Sequence, residues 1–246
     1  MTIQQRSAIC SNAFLAHHPA ITEPPRHNRI LSNRGFSSRY KAPYTAIRNS
    51  PSAHTNRQEI IPMPRHVLAI CGSLRAQSIN RTLLLAAQKC GQAHGLEIHL
   101  YDGLGNLPIF NPDNEETPPK SVLDFRAKLA QSDAVLIASP EYAHGVTGAI
   151  KNALDWVVAS GEFMQMPVAA INASGRATIA QAALIETIRT MDANIIEQAC
   201  LTIALNGKNY SAEDILNDPE TVGLLDQSLG VLKNVIGFSH QKRGIA

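Results

Sequence analysis

From residue 65 onward, short unbroken apolar runs alternate with stretches in which apolar residues recur every three or four positions. A strand with one wet face alternates apolar and polar residues, so an unbroken run marks a strand covered on both faces. Strands of that kind, separated by helices, fold as a parallel sheet between two helical layers. The pattern predicts strands at 66–71, 96–101, 134–139, 167–172 and 200–205, and helices at 80–94, 118–131, 147–160, 176–191 and 219–236. Right-handed crossovers and a body of about 180 residues favour an open doubly wound α/β sheet over an eight-unit barrel. Ligands of such sheets lie at the carboxyl ends of the strands. The search for function therefore narrows to loops 72–79, 139–147 and 172–177.

Residues 1–62 have a different character. They hold eight Lys/Arg against two acids, Glu23 and Glu59, with seven Ser and six Pro, which puts about +6 on this leader and −4 on the rest. No helical or strand period is sustained, so the leader builds no core. It reads first as a tail, or as codons upstream of a start at Met63. An organellar transit peptide is the second reading, and a basic arm with Phe36, Tyr40 and Tyr44 stacking on bases is the third. The expectation is one folded domain over 63–246 and no nucleic-acid partner.

No apolar run approaches the roughly 18 residues of a membrane span, so no membrane partner is expected. Cys10, Cys71, Cys90 and Cys200 form neither a Cys-x-x-Cys pair nor a disulfide framework, which favours a reducing compartment, taken as the cytoplasm. The histidines show no i, i+4 pairing with carboxylates, so no metal site is expected. An esterase elbow, Gly-x-Ser-x-Gly, is absent.

Loop 72–80 reads Gly-Ser-Leu-Arg-Ala-Gln-Ser-Ile-Asn. Lying between a strand and a helix, it aims backbone N–H groups and the positive helix end at one point, which suits a phosphate. Ser73, Arg75, Ser78 and Asn80 add hydroxyl, guanidinium and amide donors. One glycine is too few for a dinucleotide fingerprint, and Gln77 breaks a Walker loop. The plain structural alternative is that Ser78 or Asn80 caps the helix and Arg75 is solvated. In the second loop, Pro140 stiffens the strand exit, Tyr142 offers an aromatic surface, and Gly145 and Gly148 let backbone lie against a flat ligand. The third loop, 172–176 with Ser174, precedes a helix and could close the far side of a flat ligand or receive a dinucleotide.

Gly-Ser-Leu-Arg-x-x-Ser-x-Asn at 72–80, Ser-Pro-Glu-Tyr at 139–142 and Gly-Ala-Ile-Lys-Asn-Ala-Leu-Asp-Trp at 148–156 resemble the NADPH-dependent FMN reductase family. That family is flavodoxin-like and includes quinone, azo-dye and chromate reductases. The resemblance implies a five-stranded parallel sheet in the order 2-1-3-4-5. It implies FMN, its phosphate held by Ser73, Arg75, Ser78 and Asn80 and its ring by Pro140, Glu141, Tyr142, Ala143 and His144. It also implies a homodimer or homotetramer. Many members carry Asn after Pro-Glu-Tyr where this chain has Ala143, so contact there falls to the backbone.

The expected activity is hydride transfer from NADPH or NADH through FMN to a quinone, free flavin or similar small acceptor, in ping-pong order. The cofactor carries the chemistry, and no side chain is assigned as catalytic. Two rivals stand beside it: a one-electron carrier without NAD(P)H activity, and a reductase of arsenicals or iron chelates.

Overall fold

The computed structural model describes residues 65–205 and 209–243; the leader and its boundary at 62/63 lie outside the described residues. The elements are β1 (Arg65–Cys71), α1 (Ile79–Ala93), β2 (Leu96–Tyr101), α2 (Lys120–Ala130), β3 (Ala134–Ala138), α3 (Gly148–Asp155), β4 (Pro167–Asn172), α4 (Thr178–Arg189), β5 (Asn194–Ile195), β6 (Leu201–Thr202), α5 (Ala212–Asn217) and α6 (Pro219–Arg243). The sheet runs β2-β1-β3-β4-β5, with β6 also on β4. Every pairing is parallel.

The unbroken apolar runs do what the pattern requires. Val67, Ala69 and Cys71 join one core with α1, α5 and α6, while Leu68 and Ile70 join the other with α2, α3 and α4. All five residues of β3 and all six of β4 are buried, as two covered faces demand.

Three elements depart from the sequence reading. The fifth strand, expected at 200–205, is two short pieces, β5 and β6, split by a 3₁₀ turn at Glu197–Ala199. Beyond β6, the N–H groups of Ile203 and Leu205 go to the carbonyls of Asn172 and Ala173, past the end of the β4 ladder. Helix α3 stops at Asp155, short of residue 160, because Val157 N–H turns to the carbonyl of Leu154, three residues back, and tightens the last turn. The unforeseen α5 is set by a capping box. Ser211 Oγ accepts from Asp214 N–H, and the Asp214 carboxylate accepts from Ser211 N–H at 2.8 Å. No helix among the described residues is long and apolar enough to cross a membrane.

Candidate functional site

The carboxyl ends of β1, β3 and β4 are neighbours in the sheet, so their three loops share one edge. Gly72 locks the first two together. Its N–H donates to the Ala138 carbonyl at 2.8 Å, and its own carbonyl accepts from buried Thr147 Oγ1 at 2.8 Å. A Cβ at residue 72 would stand 2.3 Å from Ser139 Oγ, so this approach needs glycine.

In the first loop Ser73, Ser78 and Asn80 are buried and Arg75 is exposed. Ser78 is the N-cap of α1, accepting from Arg81 N–H at 3.5 Å, and Ser73 Oγ accepts from Arg75 N–H at 3.4 Å. The cap meets only one of the first-turn donors, which leaves the N–H groups of Ile79 and Asn80 facing out of the helix end. Asn80, 5% exposed, has a side-chain oxygen without a partner. Turned about its last torsion, that amide presents N–H in the same place. Among the described residues no carboxylate pairs with Arg75. Two hydroxyls, an unpaired guanidinium, an amide with unmet capacity and a helix N-terminus make a donor set that fits a phosphate monoester. A cleft of about 730 Å³ adjoins it, lined by Arg75, Gln77, Ser78, Thr82, Tyr210 and Ser211. Sequence reasoning missed the wall that Leu205 and residues 209–211 form; the Ser-x-x-Asp capping signal at 211–214 could have located it.

The second loop is a tight reversal. Tyr142 and Gly145 exchange both backbone hydrogen bonds, at 3.2 and 3.0 Å, and Ala143 and His144 between them have φ of +49° and +57°. Two left-handed residues define a type I′ turn, a conformation that favours Asn and Gly. The turn's hydrogen bonds use neither Ala143 nor His144 N–H, so both donors stay available. Pro140 is half-buried and the Tyr142 ring exposed. An alanine with positive φ is strained by about 1 kcal/mol. Ala143→Gly should therefore stabilise the fold by about 0.5–1 kcal/mol, read as a raised urea midpoint at unchanged slope; a lowered midpoint would show the turn is not strained at 143.

Glu141 ties this loop to the next. Its carboxylate accepts from Ala180 N–H at 2.8 Å and contacts His144 Nδ1 at 3.0 Å. Helix α4 starts at Thr178 after Ala177, which supplies no cap, so Glu141 caps it from another loop. The Ala180 hydrogen bond, with help from His144, holds the Glu141 carboxyl below its ordinary range. A depressed carboxyl stabilises the fold fully above that range and loses its effect as pH falls through the lower folded value. Glu141→Gln should flatten the acid limb of the stability–pH curve, and chemical denaturation from neutral pH downward measures it. An acid limb as steep as the wild type's would remove Glu141 from this role.

The third loop is shaped by Asn172, 2% exposed, which sequence reasoning did not single out. Its amide donates to the Ala177 carbonyl and accepts from Ser174 N–H, both at 2.9 Å. Ser174 Oγ accepts from Arg176 N–H at 3.3 Å, and Arg176 is exposed. The structure thus brings Ser73, Arg75, Ser78 and Asn80 into one loop–helix corner. It sets Pro140, Glu141, Tyr142, Ala143 and His144 in the adjoining turn, and Ser174 beyond the Glu141 bridge.

This architecture is the flavodoxin-like class: an archaeal flavodoxin matches 70% of the chain and 99% of its own with a TM-score of 0.50, at 10% identity. The family is narrower. The model for NADPH-dependent FMN reductase matches residues 65–206, and the chain belongs to that family. An NAD(P)H-dependent FMN reductase of Pseudomonas aeruginosa is 32% identical over 173 residues, 68% of this chain and 92% of the relative. An NAD(P)H:quinone oxidoreductase of Solanum tuberosum is 46% identical over 94 residues, 37% of this chain, and the match spans 48% of the potato protein. Among solved structures, the flavoenzyme NAD(P)H:(acceptor) oxidoreductase FerB of Paracoccus denitrificans aligns over 70% of this chain and 97% of its own, with a TM-score of 0.59 and 29% identity.

Proposed function

We propose that this protein holds FMN at the corner between β1 and β3 and oxidises NAD(P)H to reduce a quinone, free flavin or similar small acceptor. The observation that carries the reading is the donor set at the start of α1, which matches a phosphate monoester and stands beside a turn with free N–H groups. FMN, when bound, supplies the hydride and electron chemistry. The chain's own residues supply position. Ser73, Ser78, Arg75 and the helix end hold the phosphate, and the pinned Gly72–Thr147 contact fixes the spacing between that anchor and the turn. The N–H groups of Ala143 and His144 are placed to stabilise negative charge at the ring edge. Ser174 and exposed Arg176 border the side from which a dinucleotide approaches.

Nicotinamide and acceptor use one opening in turn, which makes the kinetics ping-pong. A homodimer or homotetramer accompanies this reading, supported by Leu74 in the phosphate loop being 64% exposed. A cytoplasmic, reducing setting is supported by Cys71, Cys90 and Cys200 all being free. The test is an absorbance scan of the purified full chain for flavin, then NAD(P)H oxidation with a quinone at varied concentrations of both. Bound flavin and parallel double-reciprocal lines are expected. A yellow protein that leaves NAD(P)H unoxidised would make it a carrier, and intersecting lines would exclude the shared opening.

A further inference from the structure

Across the first two strands, away from the loops just described, three metal-ligating side chains meet. The parallel register pairs His66 of β1 with Glu97 of β2, and Leu68 with His99. Paired residues of parallel strands, and residues two apart on one strand, share a face. His66, Glu97 and His99 therefore rise from the same side of the sheet edge. Glu97 Oε2 lies 3.3 Å from His66 Nδ1 and 3.7 Å from His99 Nε2. The three ligand atoms all lie within 4.8 Å of one another, and the imidazoles stack at 5.9 Å with 28° between planes.

We propose that His66, Glu97 and His99 form a binding site for one divalent first-row transition ion of the zinc type. Two imidazoles and a carboxylate are the donors such ions select. Bonds of about 2.1 Å at tetrahedral angles set ligand atoms about 3.4 Å apart. The His66–Glu97 separation already matches that spacing, and His99, with its side chain 63% exposed, is free to rotate into place. The 3.7 Å contact is beyond hydrogen-bond range, so the arrangement is not explained as two histidines bonded to one acid. Among the described residues Glu97 pairs with no Lys or Arg. The neighbouring acids are engaged, Asp102 with Arg81 at 2.7 Å and Asp124 with Lys128 at 3.8 Å. The backbone beneath is rigid sheet, and His66 N–H is further held by Asp133 Oδ2 at 2.8 Å. The fourth position opens on a groove of about 740 Å³ lined by Leu68, Tyr101, Asp124 and Lys128, with room for water or a small anion. Six residues of strand separate His66 from Gly72, about 20 Å, so this site is distinct from the flavin corner.

The histidines escaped the sequence reading because their partner is across a strand. The only local signal is Glu97-x-His99, the period of two that a strand requires. The test is calorimetric titration of the metal-stripped full-length protein with ZnCl₂, repeated for His66→Ala and His99→Ala, with Co²⁺ absorption as a second readout. Histidines of the leader bind alike in all three proteins, so the comparison isolates this site. Wild type should show a saturable equivalent whose affinity falls at least about tenfold in each variant, since even outer-shell losses cost that much. The Co²⁺ visible bands should weaken in step. Flavin content and metal-free melting should match wild type, which separates lost ligation from misfolding. Absence of saturable binding in wild type, or a loss smaller than tenfold in either variant, overturns the proposal.

Discussion

Replacing Trp156 with alanine should lower the unfolding free energy by about 3–5 kcal/mol, a fall of roughly 6–20 °C in thermal midpoint. The indole is fully buried immediately after α3 and faces Phe110 edge-on at 5.1 Å. Its N–H donates to the Pro108 carbonyl at 2.8 Å, and Asn152 Nδ2 donates to the same oxygen at 2.9 Å. Arg126 reaches over to the Trp156 carbonyl from α2. The side chain thus fastens the long 102–117 loop beside α3, while the main-chain carbonyl of the same residue ties in α2. That loop returns to the β1–α1 loop, since a Cβ at Gly105 would lie 3.4 Å from the Leu74 side chain. Trp156→Phe keeps most of the bulk and leaves Pro108 its second donor, so it should cost about 1–2 kcal/mol. This is the chain's only tryptophan, so calorimetry or circular dichroism must follow unfolding in both variants. A melting temperature for the alanine variant within a degree or two of wild type would mean that the loop is held some other way.

The sheet was legible because burial on both faces writes itself into a strand as an unbroken apolar run. β1, β3 and β4 lie where those runs are, and the sheet has the order 2-1-3-4-5 that the family resemblance implied. The edge was harder. At β5 and β6 only two residues each pair with β4, and beyond Thr202 the apolar run at 200–205 records the burial of Ile203 and Leu205 rather than a continued ladder. Apolar burial and strand pairing coincide in the middle of a sheet and separate at its rim. The helix end at Asp155 was invisible for a related reason, since Trp156 and Val157 just after it stay buried while the backbone tightens.

At the candidate site, the residue types pointed to three loops that the structure sets along one sheet edge, but not to what holds them. Ser78 is both cap and candidate phosphate ligand, two readings that its sequence position cannot separate. The positive φ of Ala143 has no sequence signal, because alanine does not favour that conformation, and histidine at 144 is only a weak one. Glu141 was expected at the ring, and its carboxylate is spent on α4 and His144. Asn172 sits at the end of an apolar strand, where nothing marks it as the support of the next loop.

Removing Arg75 and Ser78 together, as Arg75→Ala with Ser78→Ala, should weaken FMN binding by about 2–5 kcal/mol, roughly 30- to 5,000-fold in Kd. The two side chains act differently, and the single variants show how. Ser78→Ala removes the α1 cap as well as a hydroxyl, so the flavin-free protein should itself lose about 1 kcal/mol. Arg75 is exposed and bridges nothing among the described residues, so Arg75→Ala should melt with the wild type when flavin is absent and still bind FMN at least tenfold more weakly. Riboflavin, which lacks the phosphate, supplies the control. If the guanidinium serves the phosphate, Arg75→Ala leaves riboflavin affinity alone and narrows the gap between riboflavin and FMN. Equal weakening of both ligands would place Arg75 against the ring or in the structure of the loop, and unchanged FMN affinity in the double variant would move the phosphate away from this corner altogether.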